Sequence, residues 1–386
     1  MKSTEVKQIS VINPPAMLGM LGGGQLGRFF VIAAHEMGYQ VTVLDPDPNS
    51  PAGNIADVHL CAHYDDMDAL SQMAETCQAV TTEFENVPAA TLDLLAKTTR
   101  VFPSAHSVAI AQNRVLEKNF IRDAGLPVAP FVVIHQASDL PEDSHSIYPA
   151  ILKVARFGYD GKGQARVKNH AEALAAFALF KQEVCVLEHM LPLDLEVSVV
   201  LARDANGHIV AFPTAENSHL NGILDVSIVP ARCSEVTKAN AQELAKKLAK
   251  ELNYIGVIGV EFFVVGTQLL VNEIAPRPHN SGHYTIDACI TNQFEQQVRV
   301  TAGLPLGDAR LHSEAVMVNI LGDSWIDGKQ PDWDKAFAHP NLKLHLYGKH
   351  EPRKARKMGH FTVIGKDKDA VLNIARIARG ELHIGI

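Results

Sequence analysis

Residues 257–274 read "VIGVEFFVVGTQLLVNEI", and this stretch restricts the fold most tightly. Apolar residues run on both sides of Gly266 and fall on both faces of any strand drawn through them. Both arms of a hairpin must therefore be covered by the rest of the chain. A hairpin centred on Thr267 sets Glu261 opposite Glu273, with both carboxylates on one face. Like charges opposed across two strands repel. Buried together, they need a cation between them. Carboxylate oxygens suit Mg²⁺, which completes its shell with water and substrate phosphates. Asn272 turns to the other face, or adds a ligand if the strand is bulged. The competing reading is a slipped register with both acids at a solvent rim.

A second constraint lies about a hundred residues upstream. Lys153 sits inside "AILKVA", a strand pattern in which an ammonium group needs a partner. The next residues, "FGYDGKGQ", place Gly158, Gly161 and Gly163 around Tyr159, Asp160, Lys162 and Gln164. Glycines let backbone amides approach phosphate oxygens, and Lys162 adds charge. The spacing is not that of a P-loop. A plain hairpin turn with a snorkelling lysine is the alternative; with the glutamate pair downstream, a nucleotide-phosphate site is the stronger expectation.

The first ~110 residues alternate short apolar strands with amphipathic helices, the pattern of a doubly wound parallel sheet. Within them Gly22-x-Gly24-x-x-Gly27 matches a dinucleotide fingerprint, with Asp45 near the distance expected of its ribose acid. A nicotinamide enzyme would, however, leave Lys153, the glutamate hairpin and a basic tail without roles. After Pro103 the pattern becomes antiparallel α+β, with hairpins turning at Asn206-Gly207 and near Gly266. A chain of 386 residues implies two or three domains. Its net charge of -8 argues against general nucleic-acid binding. Five dispersed cysteines fit buried, reduced thiols better than a disulfide framework or a zinc site. No signal pattern and no membrane-length apolar run is present.

The order of strand lysine, glycine loop, "VCVLEHML" and the hairpin "VEF…NE" resembles the ATP-grasp superfamily. Within it, "GMLGGGQLGR", "TTEFENV", "GYDGKGQ", "NEIAPRPHNSGHYT" and "LYGKHEPRKARKMGH" resemble the N5-carboxyaminoimidazole ribonucleotide synthetases over about residues 17–360. The resemblance implies an N-terminal α/β substrate domain over 1–112. An ATP-grasp lid over 113–190, an ATP-grasp core over 191–310 and a β/α extension over 311–386 would follow. It implies a cytoplasmic homodimer using ATP and Mg²⁺ or Mn²⁺, with no nucleic-acid or membrane partner. Its substrates would be bicarbonate and 5-aminoimidazole ribonucleotide, joined through carboxyphosphate in purine biosynthesis. Phosphoryl transfer of this kind needs positioning and charge neutralisation rather than a strong protein nucleophile.

Carried over on matching residues, Glu261 and Glu273 hold the metal, with Asn272 adjacent. Lys153 and Arg114 contact the phosphates, and Gly158, Tyr159, Asp160, Gly161, Lys162, Gly163 and Gln164 cover them. Glu188, His189, Met190 and Leu191 form an adenine hinge read through backbone groups. Glu196 faces the ribose and His219 the nucleotide; an exposed strand acid and a loop histidine without a role are the plain alternatives. Arg277 stabilises charge on carboxyphosphate, while His279 and Asn280 orient the aminoimidazole. Gly24, Gln25 and Leu26 offer amides near the substrate phosphate, which Lys349 and Arg356 clamp. Lys354 and Lys357 face solvent. Glu83 meets the substrate amine or ribose; capping of the following helix is the plain alternative for it and for Glu85. Asp45 then becomes a loop residue.

Overall fold

A computed structural model describes residues 9–156, 163–326 and 328–385. Short apolar runs and a glycine turn begin the chain as expected. Strands β1 (Met17–Leu21), β2 (Gln40–Leu44), β3 (Val58–Leu60), β4 (Ala79–Thr82) and β5 (Arg100–Val101) form one parallel sheet in the order β3-β2-β1-β4-β5. Helices α1 (Gln25–Glu36), α2 (Met67–Thr76) and α3 (Ala89–Leu95) connect them. Buried Leu18, Met20, Val41 and Val43 show why these strands read as continuous apolar runs.

Two helices, α4 (Ala105–Ala111) and α5 (Arg114–Asp123), lead away from this sheet. Asn113 caps α5, its side chain accepting from the amides of Val115 and Leu116, so Arg114 opens the helix rather than ending one. Next comes a four-stranded antiparallel sheet of β6 (Phe131–Ile134), β7 (Ala150–Val154), β8 (Gln164–Val167) and β9 (Cys185–His189), ordered β6-β9-β7-β8 and covered by α6 (His170–Leu179). Lys153 lies on the inner strand β7, as its pattern predicts.

The largest sheet is antiparallel. It contains β10 (Leu195–Arg203), β11 (Ile209–Ala211), β12 (Ala215–Leu220) and β13 (Ile223–Val229), then, after helix α7 (Glu235–Glu251), β14 (Gly256–Val265) and β15 (Gln268–Ala275). Past α8 (Thr285–Ala288) and α9 (Gln293–Ala302), β16 (Glu314–Leu321) returns to the same sheet. After α10 (Trp333–Phe337), β17 (Leu342–Leu346) and β18 (Lys357–Gly365) complete it, and α11 (Lys368–Glu381) packs on its end. The path runs β15-β14-β10-β12-β13-β16-β18-β17. The tail therefore extends the central sheet.

The glutamate hairpin differs from the expectation in one respect. Its two-residue turn is Gly266-Thr267, with Val265 paired to Gln268 and Gly266 at φ +60°. That turn alone would set Glu261 opposite Asn272. A β-bulge between the Phe262↔Val271 and Glu261↔Glu273 pairs absorbs Asn272 and restores the facing glutamates. Among the described residues, no helix is long and apolar enough to cross a membrane. The cysteines are free; Cys77, Cys185 and Cys289 are buried, but Cys61 is exposed, contrary to the all-buried expectation.

Candidate active site

A cavity of about 590 Å³ opens between the four-stranded sheet and the central sheet, within the range of small-molecule sites. On one wall, β7 presents Lys153 and β9 presents Glu188, 3.1 Å apart. Lys118, from α5, reaches the same carboxylate at 3.1 Å and donates to the Asn272 carbonyl at 2.8 Å. Burial alone would raise the Glu188 carboxyl, but Lys118, Lys153 and Arg114 outweigh it and hold it at about 2. Burial lowers the Lys153 ammonium, and Glu188 offsets this only in part. Three cations gather around this one carboxylate, and positive charge on this side of the cavity suits an anionic ligand. Lys118 was not anticipated: in "LEKNF" it looks like any helix lysine, and only the packing of α5 beneath β9 buries it fully.

Glu188 is thus a charge partner of the lysines. The amides of His189 and Met190 bond to the carbonyls of Pro130 and Pro149 in continuing the sheet. The expected base-reading hinge must therefore use carbonyls or Leu191. Gln164 lines the cavity and Gly163 precedes it at φ +68°. Gly158, Tyr159, Asp160, Gly161 and Lys162 lie outside the described residues.

Across the cavity, Glu261 is buried while the Glu273 side chain is 41% exposed, so the pair is half open rather than sealed. Burial, then the Glu273 charge, push the Glu261 carboxyl up to about 8 against the opposing pull of His219. Arg114 stands 3.9 Å from Glu273. The bulged Asn272 donates to Glu261 at 3.4 Å, and its own Oδ1 is buried without a partner. A raised carboxyl, a facing carboxylate and an orphaned amide oxygen form an oxygen-rich set that fits a hard divalent cation. Glu117, pushed up to about 7 chiefly by burial, accepts from the Ile274 amide at 2.6 Å and anchors the hairpin to α5. His219 lies on β12, not in a loop, and pairs with Glu196 at 2.9 Å on the same cavity wall. Burial disfavours its charge, yet Glu196, Glu261 and Glu273 together raise its pKa.

The glycine turn holds the main correction. Glu83, at the end of β4, accepts from the amides of Gly24 and Gly27, the latter at 2.7 Å. It caps α1, not the helix after it. Asp45 accepts from the Gly23 amide at 2.7 Å and from the Tyr64 hydroxyl at 2.8 Å, so it anchors the turn. The amide expected of Gly24 for a substrate phosphate is already engaged by the Glu83 carboxylate. Burial raises the Glu83 carboxyl, with the Gly27 and Gly24 amides opposing. Gln25 and Leu26 instead line a smaller pocket beside Glu83.

Lys349 reaches this pocket's rim, donating to the Gln25 side chain at 2.6 Å. Arg356 donates to the Glu351 carbonyl at 2.9 Å and is not among the described cavity-lining residues. Lys354 is exposed. Lys357, expected to face solvent, opens β18 and lines both the large cavity and the small pocket. No local signal marks it: a lysine at a strand start meets the cavities only once β18 pairs with β16.

Arg277, His279 and Asn280 also line both cavities. Arg277 grips Glu85 through two nitrogens, one bond being 3.1 Å; Glu85 is therefore an ion-pair partner and no helix cap. His279 Nε2 lies 3.4 Å from Glu261. Burial, then Arg277 and Lys357, pull its pKa well below the usual imidazole value. Both polar atoms of the Asn280 side chain are buried and take no partner among the described residues, so they stand ready for a ligand or water in the cavity. The cluster of Asp287, His345 and His360 beneath the tail is different: the His345 and His360 rings stack 4.6 Å apart at 20°. Nearly parallel rings do not aim their lone pairs at a common point.

Comparison with known proteins accords with this geometry. Residues 16–112 match the ribonucleotide synthetase preATP-grasp domain, 119–294 the ATP-grasp domain, and 315–374 the phosphoribosylaminoimidazole carboxylase C-terminal domain. The chain is 44% identical to the N5-carboxyaminoimidazole ribonucleotide synthase of Bacillus subtilis, over 93% of this chain and 94% of that one. With the synthase of Brucella melitensis the identity is 43%, over 92% and 97%. An ADP complex of an N5-carboxyaminoimidazole ribonucleotide synthetase superposes with a TM-score of 0.91 at 41% identity, covering 97% of this chain and 99% of that one. The Aspergillus clavatus enzyme, solved with ADP and 5-aminoimidazole ribonucleotide, gives 0.87 at 31%, covering 96% and 99%. On these grounds the chain belongs to the N5-carboxyaminoimidazole ribonucleotide synthase family of ATP-grasp enzymes.

Proposed function

We propose that this chain carries out its family's reaction. ATP, bicarbonate and 5-aminoimidazole ribonucleotide give the N5-carboxylated ribonucleotide, ADP and phosphate. The observation that carries it is the wall shared by two cavities. The larger holds the cationic and acidic machinery a nucleotide needs; the smaller abuts the N-terminal sheet; Arg277, His279, Asn280 and Lys357 border both. A group activated in one can be passed to an amine held in the other.

In this reading a bicarbonate oxygen attacks the γ-phosphorus and ADP departs. The substrate amine then forms the new C–N bond with the carboxyl carbon as the C–O bond to phosphate breaks, and the departing phosphate takes up the amine proton. Lys153, Lys118 and Arg114 neutralise the phosphates. Arg277, held rigid by Glu85, faces the charge that develops on carboxyphosphate. Asn280 supplies a donor and an acceptor for the ribonucleotide, and Lys357 and Lys349 add positive charge at its end of the site. Glu261, Glu273 and Asn272 would hold Mg²⁺, which supplies Lewis-acid neutralisation of phosphate charge. The hinge from Glu188 to Leu191, Glu196 at the ribose, the glycine loop over the phosphates and the four-part division at 112, 190 and 310 belong to this same proposal. So does a cytoplasmic homodimer, which light scattering tests.

The decisive assay measures ADP release. We expect it to require both bicarbonate and 5-aminoimidazole ribonucleotide. Turnover indifferent to that ribonucleotide would remove the substrate assignment.

A further inference from the structure

A buried chain of hydrogen bonds runs from His279 away from the active site. His279 Nδ1 meets the Ser281 hydroxyl at 2.8 Å and accepts from the Ser281 amide at 3.4 Å. The Ser198 hydroxyl lies 2.7 Å from that of Ser281, the Asn217 amide nitrogen 2.8 Å from Ser198, and the Ser227 hydroxyl 2.8 Å from the Asn217 oxygen. All five residues are buried. The chain crosses β10, β12 and β13 under the floor of the large cavity, and Ser198 sits directly opposite Glu261 on β14.

The direction of every bond follows from one group. A backbone amide can only donate, so Nδ1, which accepts from the Ser281 amide, carries no proton. The Ser281 hydroxyl must then donate to Nδ1. Its oxygen is left to accept from Ser198, whose oxygen accepts from the Asn217 NH₂, whose carbonyl accepts from Ser227. The ring proton is on Nε2, the nitrogen facing Glu261 and the shared wall of the two cavities.

We propose that the Ser281 amide and hydroxyl, backed by Ser198, Asn217 and Ser227 as positioning residues, hold His279 in its Nε2–H tautomer, so that it serves the reaction as a neutral hydrogen-bond donor and not as a base. This rests on the reaction proposed above for its catalytic meaning, but the tautomer itself does not depend on it. A donor at Nε2 fits a carboxyl oxygen at the transfer point, where a bare ring nitrogen would repel it. The second nitrogen of a histidine commonly fixes what the first can do, and here the Ser281 amide makes the choice while four side chains align to reinforce it.

The test is ¹⁵N NMR of the histidine-labelled protein without ligands, with His279 assigned by difference from His279→Gln. We expect an unprotonated Nδ1 and a protonated Nε2; a protonated Nδ1 in the wild type overturns the proposal. Asn217→Asp keeps the shape but makes the centre of the chain accept from both sides. The Ser198 hydroxyl then turns away from Ser281, and the chain reverses. We expect an Nδ1–H population and a fall in kcat of ~10-fold or more, toward the loss seen on removing a transition-state donor, with KM for ATP little changed. Ser198→Thr, which keeps the hydroxyl, should keep the tautomer, whereas Ser198→Ala should lower kcat. Unchanged tautomer and kcat in Asn217→Asp also overturn it. If ADP release proves independent of the ribonucleotide while His279 keeps the stated tautomer, the reaction assignment fails and this inference stands.

Discussion

Glu188 illustrates what a single buried carboxylate does here. Its folded pKa of about 2 lies below its ordinary 4.5. Its stabilising contribution is therefore present above about 4.5 and disappears as pH falls toward 2. Glu188→Gln should strand the ammonium groups of Lys118 and Lys153 and cost about 3–5 kcal/mol, the usual loss when one partner of a buried pair is removed. Urea titration at pH 7 checks the size, and the variant should lose less stability than the wild type between pH 4.5 and 3. Glu273 runs the other way. Its charge raises the pKa of Glu261, so Glu273→Gln should relieve repulsion in the ligand-free protein. We expect an unchanged or higher melting temperature together with at least ~100-fold lower turnover; an active variant would take Glu273 out of the site. Residues of this kind were only partly legible in the sequence. Glu261, Glu273 and Lys153 stood out because a charge inside an apolar strand demands a partner. Lys118 and Lys357 did not, because a lysine on a helix or at a strand start is ordinary until tertiary packing covers it.

At the scale of elements, the bulge at Asn272 and the cap on α1 carry the most weight. Counting residues from a supposed turn centre reached the Glu261–Glu273 pair, but through a turn one half-step away from the real one. A bulge leaves no reliable mark in composition, so the orphaned Asn272 oxygen was visible only as an alternative. The glycine turn was recognised as an anion-binding feature, whereas its anion lies 59 residues away in sequence from Gly24. Nothing local in "TTEFENV" says that Glu83 closes α1. Glu83→Ala should uncap two amides and lower stability by about 1–2 kcal/mol with no substrate present. Calorimetry of the free protein measures this directly, and an unchanged melting profile would return Glu83 to a purely substrate-facing role.

Across the whole molecule, alternation of strand and helix foretold the parallel N-terminal sheet, and the change of pattern after Pro103 foretold the antiparallel remainder. The continuity of the central sheet into the tail was not foretold, because strand pairing between β13 and β16 joins segments some ninety residues apart. Removing residues after 311 would bare the β13 edge and the apolar faces of Ile228 and Val229. We expect such a truncated chain to aggregate on expression, as unprotected edges do; a soluble monomer with a native-like circular dichroism spectrum would contradict this. Because cavity walls come from both ends of the chain, nucleotide occupancy should brace the entire fold. Mg²⁺-ADP at 100 times its Kd should add about 2.7 kcal/mol, and a chelator should reverse part of the gain.

Asp45 and Glu83 are ligands tethered to the very amides they occupy. Tethering of this sort corresponds to an effective concentration of order millimolar, above what a scarce free anion reaches. Redesigning this chain to hold a dinucleotide would therefore call for removing two native competitors first, and adding glycines to the turn would accomplish nothing.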